Sequence, residues 1–334
     1  MTTSQPTTSE LDVHRPALLG HCYRMLGHPQ DAADAVQDTF VRALRGIGSF
    51  EGRSSVRTWL LRIATNVCLD ELKRRGRRRE RPTGEPPGAP HDEIVFRPEA
   101  HWIAPLPDAW VVSSDGASTP FELLAARQSI RLAFVAALQL LPPRQRAALL
   151  LADVIGWSAA EVADALVWSV PAVNSALQRA RAALGDALPP SSEAAPSLDD
   201  AEADVVQRYV EAFERFDIDA LVSLLSADVA FSMPPISLWV QGRAAVATFL
   251  REVGFQCEGS VLRRVGASGL PAFAQYRDAG KTPWGLVVLE LRGGEVCGIT
   301  TFLSVRELFP LFGLPLSVSS RRSSDEFSPR PQSR

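Results

Sequence analysis

Apolar positions follow a helical period in two early blocks, and in a third block helices give way to strand-like runs. From Asp31 to Arg45 the residues Ala33, Val36, Phe40, Ala43 and Leu44, with Ile47 beyond, share one side, which predicts a one-sided helix. Asp34, Gln37, Asp38, Val41 and Arg42 fall away from that stripe. Ser54 or Ser55 is placed to cap the next helix. Its stripe of Val56, Leu60, Ile63 and Val67 is joined by a second strip of Leu61, Cys68 and Leu72. Two apolar faces predict a helix packed among several others. Trp59, Arg62, Asn66 and Lys73 share the side left over.

Residues 81–120 are rich in Pro, Gly and Ser and keep no sustained period, so they read as a linker. Its WIAPLPD stretch, Trp102 to Asp108, has enough apolar character to lie along a surface. Helices are expected to resume near Phe121 and to run into a helix-turn-helix. Ser158 with Glu161 makes a capping box in front of Val162, Ala163 and Leu166. Val167 and Trp168 form the turn, and Ser169 caps a second helix. On that helix Val170, Val173, Leu177, Ala180 and Leu184 make the buried stripe. Pro171, Ser175, Gln178, Arg179 and Ala182 make the opposite face, flanked by Asn174 and Arg181. A major groove accommodates such a face: an amide bonds adenine twice, Ser serves either partner, and Arg reaches guanine or a phosphate. An ordinary helical hairpin with a polar outside has the same pattern.

Residues 189–203 form a second linker, and the last block, 204–316, begins with the helices VVQRYVEAFERF and ALVSLLSA. A strand at VAFSM, a helix at AAVATFLREVG and strands at LRRVGAS, AFAQYRD, WGLVVLEL and VCGITTFLS follow. This order predicts an α+β fold with a sheet curled around a pocket. Tyr209, Phe231, Met233, Trp239, Phe273, Tyr276, Trp284 and Phe302 are candidates for core or for pocket wall. Asp217, Asp219 and Asp228 read as helix caps and turn residues. All five His precede this block, so a His-Asp acid-base pair is excluded there. A carboxylate-only enzyme is not. The tail 317–334 is expected to be disordered.

No run of 18 apolar residues could span a membrane, and the first residues lack the basic and apolar segments of an export signal. A cytoplasmic protein without membrane association is expected. The four Cys are too far apart for a disulfide scaffold or a zinc site, so no metal or cofactor is expected. The net charge of -3 hides a local imbalance, because ten Arg or Lys stand against three acids between Arg53 and Arg81. A nucleic-acid surface carries such a run; so does a solvated helix end.

In this order, DAADAVQDTFVRAL, SFEGRSSVRTWLLRIATNVCLDELKRR, and LPPRQRAALLLADVIGWSAAEVADAL with SVPAVNSALQRAR resemble regions two and four of bacterial extracytoplasmic-function (ECF) sigma factors. The resemblance covers roughly residues 11–188. LLSADVAFSMPPISLWVQGRAAVATFL and LFPLFGLP resemble a SnoaL-like cone domain. The fold implied is multidomain: two all-α domains, 11–80 and 121–188, joined by the 81–120 linker, then the α+β cone domain. The function implied is that of a sigma subunit, not an enzyme, with core RNA polymerase and promoter DNA as partners. A regulatory role is expected for the cone domain, and an anti-sigma protein or a small-molecule ligand of that domain is a further candidate partner. Carried onto these positions, the resemblance assigns Asp34, Gln37, Asp38 and Arg42 to the polymerase. Phe50, Arg53, Ser54, Trp59, Arg62, Asn66 and Lys73 go to the melted minus-ten element, though Phe50 and Trp59 are equally suited to the core. Pro171, Asn174, Ser175, Gln178 and Arg179 go to the minus-thirty-five element. A sigma-like DNA-binding protein fused to a small-molecule enzyme is the alternative.

Overall fold

The structure is a computed structural model that describes residues 8–50, 52, 54–76, 79–111, 128–185 and 200–316. Arg53, the expected helix start near Phe121, most of the second linker and the tail lie outside the described residues. The first block folds as α1 (Thr8–Asp12), α2 (Arg15–Leu26), α3 (Pro29–Gly46) and α4 (Val56–Arg75). Pro29 opens α3 at a position whose N–H would have no helical partner anyway. Ser55, not Ser54, caps α4, its Oγ accepting from Thr58 N at 3.1 Å. Helix α4 buries Leu60 and Val67 of the first expected strip and Leu61, Cys68 and Leu72 of the second, while Val56 and Ile63 are half-buried.

One expectation for α3 fails. Its buried stripe is Ala32, Ala35, Val36, Thr39 and Ala43, about one position away from the predicted one, and Leu44 is 44% exposed beside Val41 at 45%. The reason is size: small Ala and Thr side chains let α3 lie close to α2 and α4, so the larger Leu44 is turned outward. Thr39 is accommodated because its hydroxyl donates to Ala35 O at 2.7 Å.

The second helical block comprises α5 (Leu132–Leu140), α6 (Pro143–Leu149), α7 (Ala159–Leu166) and α8 (Val170–Leu184). A wide turn, Leu150–Val154, continues α6. The cone domain has α9 (Asp200–Glu214), α10 (Ile218–Ser223), α11 (Arg243–Glu252) and α12 (Val305–Leu311). Its strands are β1 (Leu225–Ser232), β2 (Trp239–Gln241), β3 (Val261–Ala267), β4 (Leu270–Arg277), β5 (Thr282–Arg292) and β6 (Glu295–Phe302). They form one mixed sheet in the order β2-β1-β6-β5-β4-β3, with β1 and β6 parallel. The helix expected over ALVSLLSA stops at Ser223, because Leu225 already pairs with Val296 of β6. Asp217 caps α10, its carboxylate accepting from Ala220 N at 2.9 Å. Asp228 lies instead within β1, paired with Arg292, and is not a turn residue.

Both faces of this sheet are buried. Alternation sends Phe273, Val287, Leu289 and Ile299 into the cone core. Ala272, Ala274, Tyr276, Leu286, Val288 and Phe302 go to the other side, into the core shared with the helical blocks. Of the aromatics offered as core or pocket wall, Tyr276 and Phe302 are therefore core, and α12 adds Leu308 and Phe309 to the same helical contact.

The linker is the clamp between these parts. Expected to lie along a surface, His101 to Pro107 is instead fully enclosed. Glu80 N donates to His101 O at 2.8 Å and Ile103 N to Glu80 O at 3.0 Å. Ser268 N donates to Leu106 O at 2.8 Å, and Trp239 Nε1 to Glu85 O at 2.8 Å. Paired backbone is what allows an aperiodic Pro-rich stretch to be interior.

His21 and His28 are buried where they stay neutral. Burial, then Arg24, pushes the His21 pKa down to about 3; burial, then Arg79, pushes that of His28 down to about 4. Thr65 Oγ1 donates to Leu61 O, so it accepts from His21 Nε2 at 2.9 Å. A depressed His pKa means that the unfolded chain binds protons first. Stability from these two groups is complete above about pH 6.5 and is lost as pH falls toward their folded values. Urea unfolding should weaken by roughly 2–3 kcal/mol per pH unit between pH 6 and 5, and His28→Asn should roughly halve that slope. Equal stability at the two pH values would contradict the burial described.

Candidate nucleic-acid interface

Two surfaces carry the residues singled out for DNA. On α4, Asn66 and Lys73 are exposed, and Asn66 Nδ2 donates back to Arg62 O at 3.0 Å. Trp59 is half-buried against the helical core, and Phe50 packs on it with ring centroids 5.0 Å apart. The pair thus forms an aromatic edge at the start of α4, beside the exposed Gly52 and half-buried Ser54. The structure brings Phe50, Ser54, Trp59 and Arg62 to the N-terminal end of this helix, with Asn66 at its midpoint and Lys73 near the other end.

The second surface is the helix-turn-helix of α7 and α8. Both halves of the capping box form: Glu161 N donates to Ser158 Oγ at 3.3 Å, and Ser158 N to Glu161 Oε2 at 2.8 Å. Ser169 caps α8 through Ala172 N at 3.3 Å. Arg144 braces the turn from α6, its guanidinium 4.6 Å from the Trp168 ring centre, and donates to Leu166 O. Pro171, Asn174, Ser175, Gln178 and Arg179 are all exposed along α8. Val170, expected in the buried stripe, is 40% exposed, because burial on α8 begins only at Val173. Arg181 is held by Asp153 at 2.6 Å, which ties α8 to the turn after α6.

A third feature separates α3 from α4: a groove of 370 Å³ bordered by Asp31, Asp34, Asp38, Arg42, Asp70, Glu71 and Arg74. Arg42 bridges it to Asp70 at 3.0 Å. Asp34, Gln37, Asp38 and Arg42 are exposed together, next to Val41 and Leu44. Asp31 is different. Burial opposes its charge, yet Arg79 and Arg75 outweigh that and hold its carboxyl below the usual range, with contacts of 2.7 and 2.6 Å.

Comparison with known proteins gives these surfaces a family. Residues 11–78 match sigma-70 region two, residues 131–184 match sigma-70 region four, and residues 206–301 match the SnoaL-like domain. The chain is 45% identical over 318 residues to the ECF RNA polymerase sigma factor SigG of Mycobacterium tuberculosis, covering 93% of this chain and 84% of SigG. This chain belongs to the ECF sigma factors. A probable ECF sigma factor of the same organism, SigI, is 27% identical over 93% of the chain and 98% of its own length. The crystal structure of Mycobacterium tuberculosis SigJ superposes with a TM-score of 0.59 at 25% identity, covering 93% of this chain and all of that one.

In this sigma factor the two candidate surfaces do not stand apart. Arg62 of region two is ion-paired with Asp164 of α7, across the boundary with region four. Deeper in, Arg146 of α6 is 1% exposed and joins Met25 O, Gln139 Oε1 at 2.5 Å, Gln139 O at 3.1 Å and Leu141 O at 3.2 Å. Gln139 Nε2 donates in turn to Arg24 O at 3.2 Å. Burial pushes the Arg146 pKa down to about 10, so it is charged at neutral pH. Asp164, Gln139 and Arg146 escaped the sequence reading. One signal was present for Arg146: it precedes Leu149 and Leu150 by three and four residues, which puts it on their buried stripe. Replacing Arg146 by Leu should cost about 3 kcal/mol in unfolding free energy, since buried carbonyls lose their donor. Arg181→Ala, on an exposed pair, should cost less than about 1 kcal/mol. Comparable urea midpoint shifts for the two would refute the assignment.

Proposed function

We propose that this chain directs core RNA polymerase to promoters and opens them, with its cone domain regulating that activity. The observation that carries the reading is the ordered pair of regions two and four, each presenting its polar residues on an exposed helix face. Asp34, Gln37, Asp38 and Arg42 dock on the polymerase, where charge sets orientation and encounter rate. Trp59 and Phe50 offer an aromatic wall for an unstacked base, with Asn66, Arg62, Ser54, Arg53 and Lys73 along the melted strand. The outer face of α8, from Pro171 to Arg179, reads the minus-thirty-five element. The cone domain catalyses nothing on this reading. In support, no His and no carboxylate lines its main cavity among the described residues.

Regulation follows from the closed arrangement. Asp164 competes with a DNA phosphate for Arg62, and the linker and sheet keep regions two and four in one shared core. The domains proposed are 11–80, 121–188 and 204–316, with the linker between the first two serving as a strap.

Reconstitution with core polymerase and a promoter template tests the function; absence of both polymerase binding and transcript would sink it. Charge reversal at Asp34 and Asp38 together should weaken polymerase binding at least about tenfold. Asn66→Ala should leave binding intact and slow promoter opening, read by permanganate reactivity of unpaired thymines. The same defect in both would mean that the segment acts only as a structural unit. Asp164→Ala, on a side chain 68% exposed, should change stability by less than about 1 kcal/mol and raise the opening rate a few-fold. An unchanged or lower rate would remove the gating role.

A further inference from the structure

Where the strap crosses the cone domain it becomes an edge strand. Val95 O accepts from Ser237 N and Arg97 N donates to Pro235 O, both at 2.9 Å, so Phe96 lies opposite Ile236 in an antiparallel bridge. Alternation turns the N–H and C=O of Ile94 and Phe96 the other way, toward solvent. The backbone of neither residue has a hydrogen bond among the described residues. Side chains there are apolar as well. Ile94, Val95 and Phe96 are 43%, 47% and 67% exposed, and no other three consecutive large apolar residues are exposed among the described ones. An open apolar edge is a template for pairing with another chain. Its ends are closed: Asp92 N donates to Ala89 O in a turn before it, and Pro98, with no N–H to give, stops a ladder after it. Residues 93–97 remain available.

What pairs with them is written in their order, Glu-Ile-Val-Phe-Arg. Laid antiparallel on a second copy about Val95, this order sets Glu93 opposite Arg97 at both ends and Ile94 opposite Phe96, with the two Val95 residues facing each other. Opposite charges and apolar pairs across strands are both stabilising. The backbone obeys the same symmetry. Because Ile94 and Phe96 face outward, each Ile94–Phe96 pair exchanges two N–H···O bonds, and every outward group of both copies is satisfied. A shift of two residues would set Phe96 against Asp92 or Ile94 against Pro98, and bonds would be lost. Glu93 is exposed and holds no partner among the described residues. Arg97 holds Glu85 at 2.8 Å through one terminal nitrogen, which leaves its Nε for a second carboxylate.

We propose that residues 93–97 join two copies of this chain edge to edge about a two-fold axis at Val95. A self-complementary contact closes at two copies. The area is below that of a standard interface, so the dimer is weak, with a Kd on the order of 0.1 mM. This goes beyond the sigma reading and does not depend on it, since association is measured without polymerase.

The test is sedimentation equilibrium of the full-length chain, with reductant present so that its four Cys cannot link copies. The parent should show a reversible monomer–dimer equilibrium. Phe96→Pro removes an outward N–H that the monomer does not use, and should leave the chain monomeric. Glu93→Arg sets Arg against Arg at both ends, and Arg97→Glu sets Glu against Glu; each alone should weaken association roughly tenfold. Mixed in equal amounts, the two variants oppose Arg to Glu at both ends, so mixed pairs should regain the parent affinity within about threefold. A change within one folded chain would not produce that recovery. Should Arg97→Glu disturb the fold through Glu85, the variants at exposed Glu93 and Phe96 carry the test. A parent that stays monomeric at about 1 mM, association untouched by Phe96→Pro, a mixture no tighter than its components, or assembly beyond two copies would overturn the proposal.

Discussion

Helix α2 ends inside the molecule, and a buried helix end must find donors for its last carbonyls because water cannot reach them. Every part of the chain contributes to that end. Gly27, with φ of 76°, turns the backbone back so that its N–H meets Tyr23 O at 2.7 Å. Gln139 and Arg146 of region four supply donors to Arg24 O and Met25 O. The linker supplies Ala104 N to Gly27 O at 3.1 Å. Tyr23 completes the set, its hydroxyl donating to Ala104 O at 2.8 Å within reach of Ser268 of the cone domain. Four residues of region two, Tyr23, Arg24, Met25 and Gly27, thus fix how the helical blocks, the strap and the sheet meet. Removing any donor leaves a buried carbonyl unpaired, a cost of about 1–3 kcal/mol in a fold whose net stability is of order 10.

The sheet extends this constraint across the cone domain. Because strand side chains alternate, each residue of β4 and β5 belongs either to the cone interior or to the helical core, and neighbours along the strand belong to different cores. Gln275 lines the cavity while Tyr276 beside it packs on Phe309 and hydrogen-bonds Pro315 O. Val287 faces the cavity while Leu286 and Val288 face the helices. Close-packed interiors transmit displacement rather than absorbing it. A change in what fills the cone interior is therefore one strand thickness from the core that holds regions two and four together. That proximity is the physical content of a regulatory role for a domain that a minimal sigma factor does without.

Local chemistry was legible in the sequence wherever the cause of an element lies within a few residues. The Ser158–Glu161 capping box, the Ser169 cap and the turn at Val167 and Trp168 all have such causes. Candidate site residues on α3 and α8 were legible for the same reason, since periodicity says which side chains point away from a core. Long-range contacts were not. Leu44 and Val170 read as core by period, and only the close approach of small residues on α3 and the late start of burial on α8 expose them. His101 to Pro107 reads as a linker by composition, and only its pairing with Glu80 and Ser268 makes it interior. The ion pair of Arg62 with Asp164 joins residues 102 positions apart, and no spacing rule reaches that far.

The two contacts between regions two and four differ in strength, and the difference bears on how the proposed gating would work. Asp164 is largely solvated and Arg62 about one-third exposed, so their pairing contributes on the order of 1 kcal/mol and holds a closed state by a factor of about five. Arg146 is buried and charged among carbonyls, and breaking that set costs several kcal/mol unless water replaces the lost donors. Closure therefore rests on Arg146 and Gln139, while Arg62 and Asp164 decide only whether the proposed DNA surface of α4 is covered. A partner that separates the regions must bind the open form better by several kcal/mol. Nanomolar affinity corresponds to about 12 kcal/mol, so a large protein surface can supply that difference. A lone DNA phosphate competing for Arg62 cannot, because it gains only the weak contact. On the proposed function, these magnitudes set an order of events: the regions would part on docking at the α3 face, and Arg62 would become available to DNA afterwards.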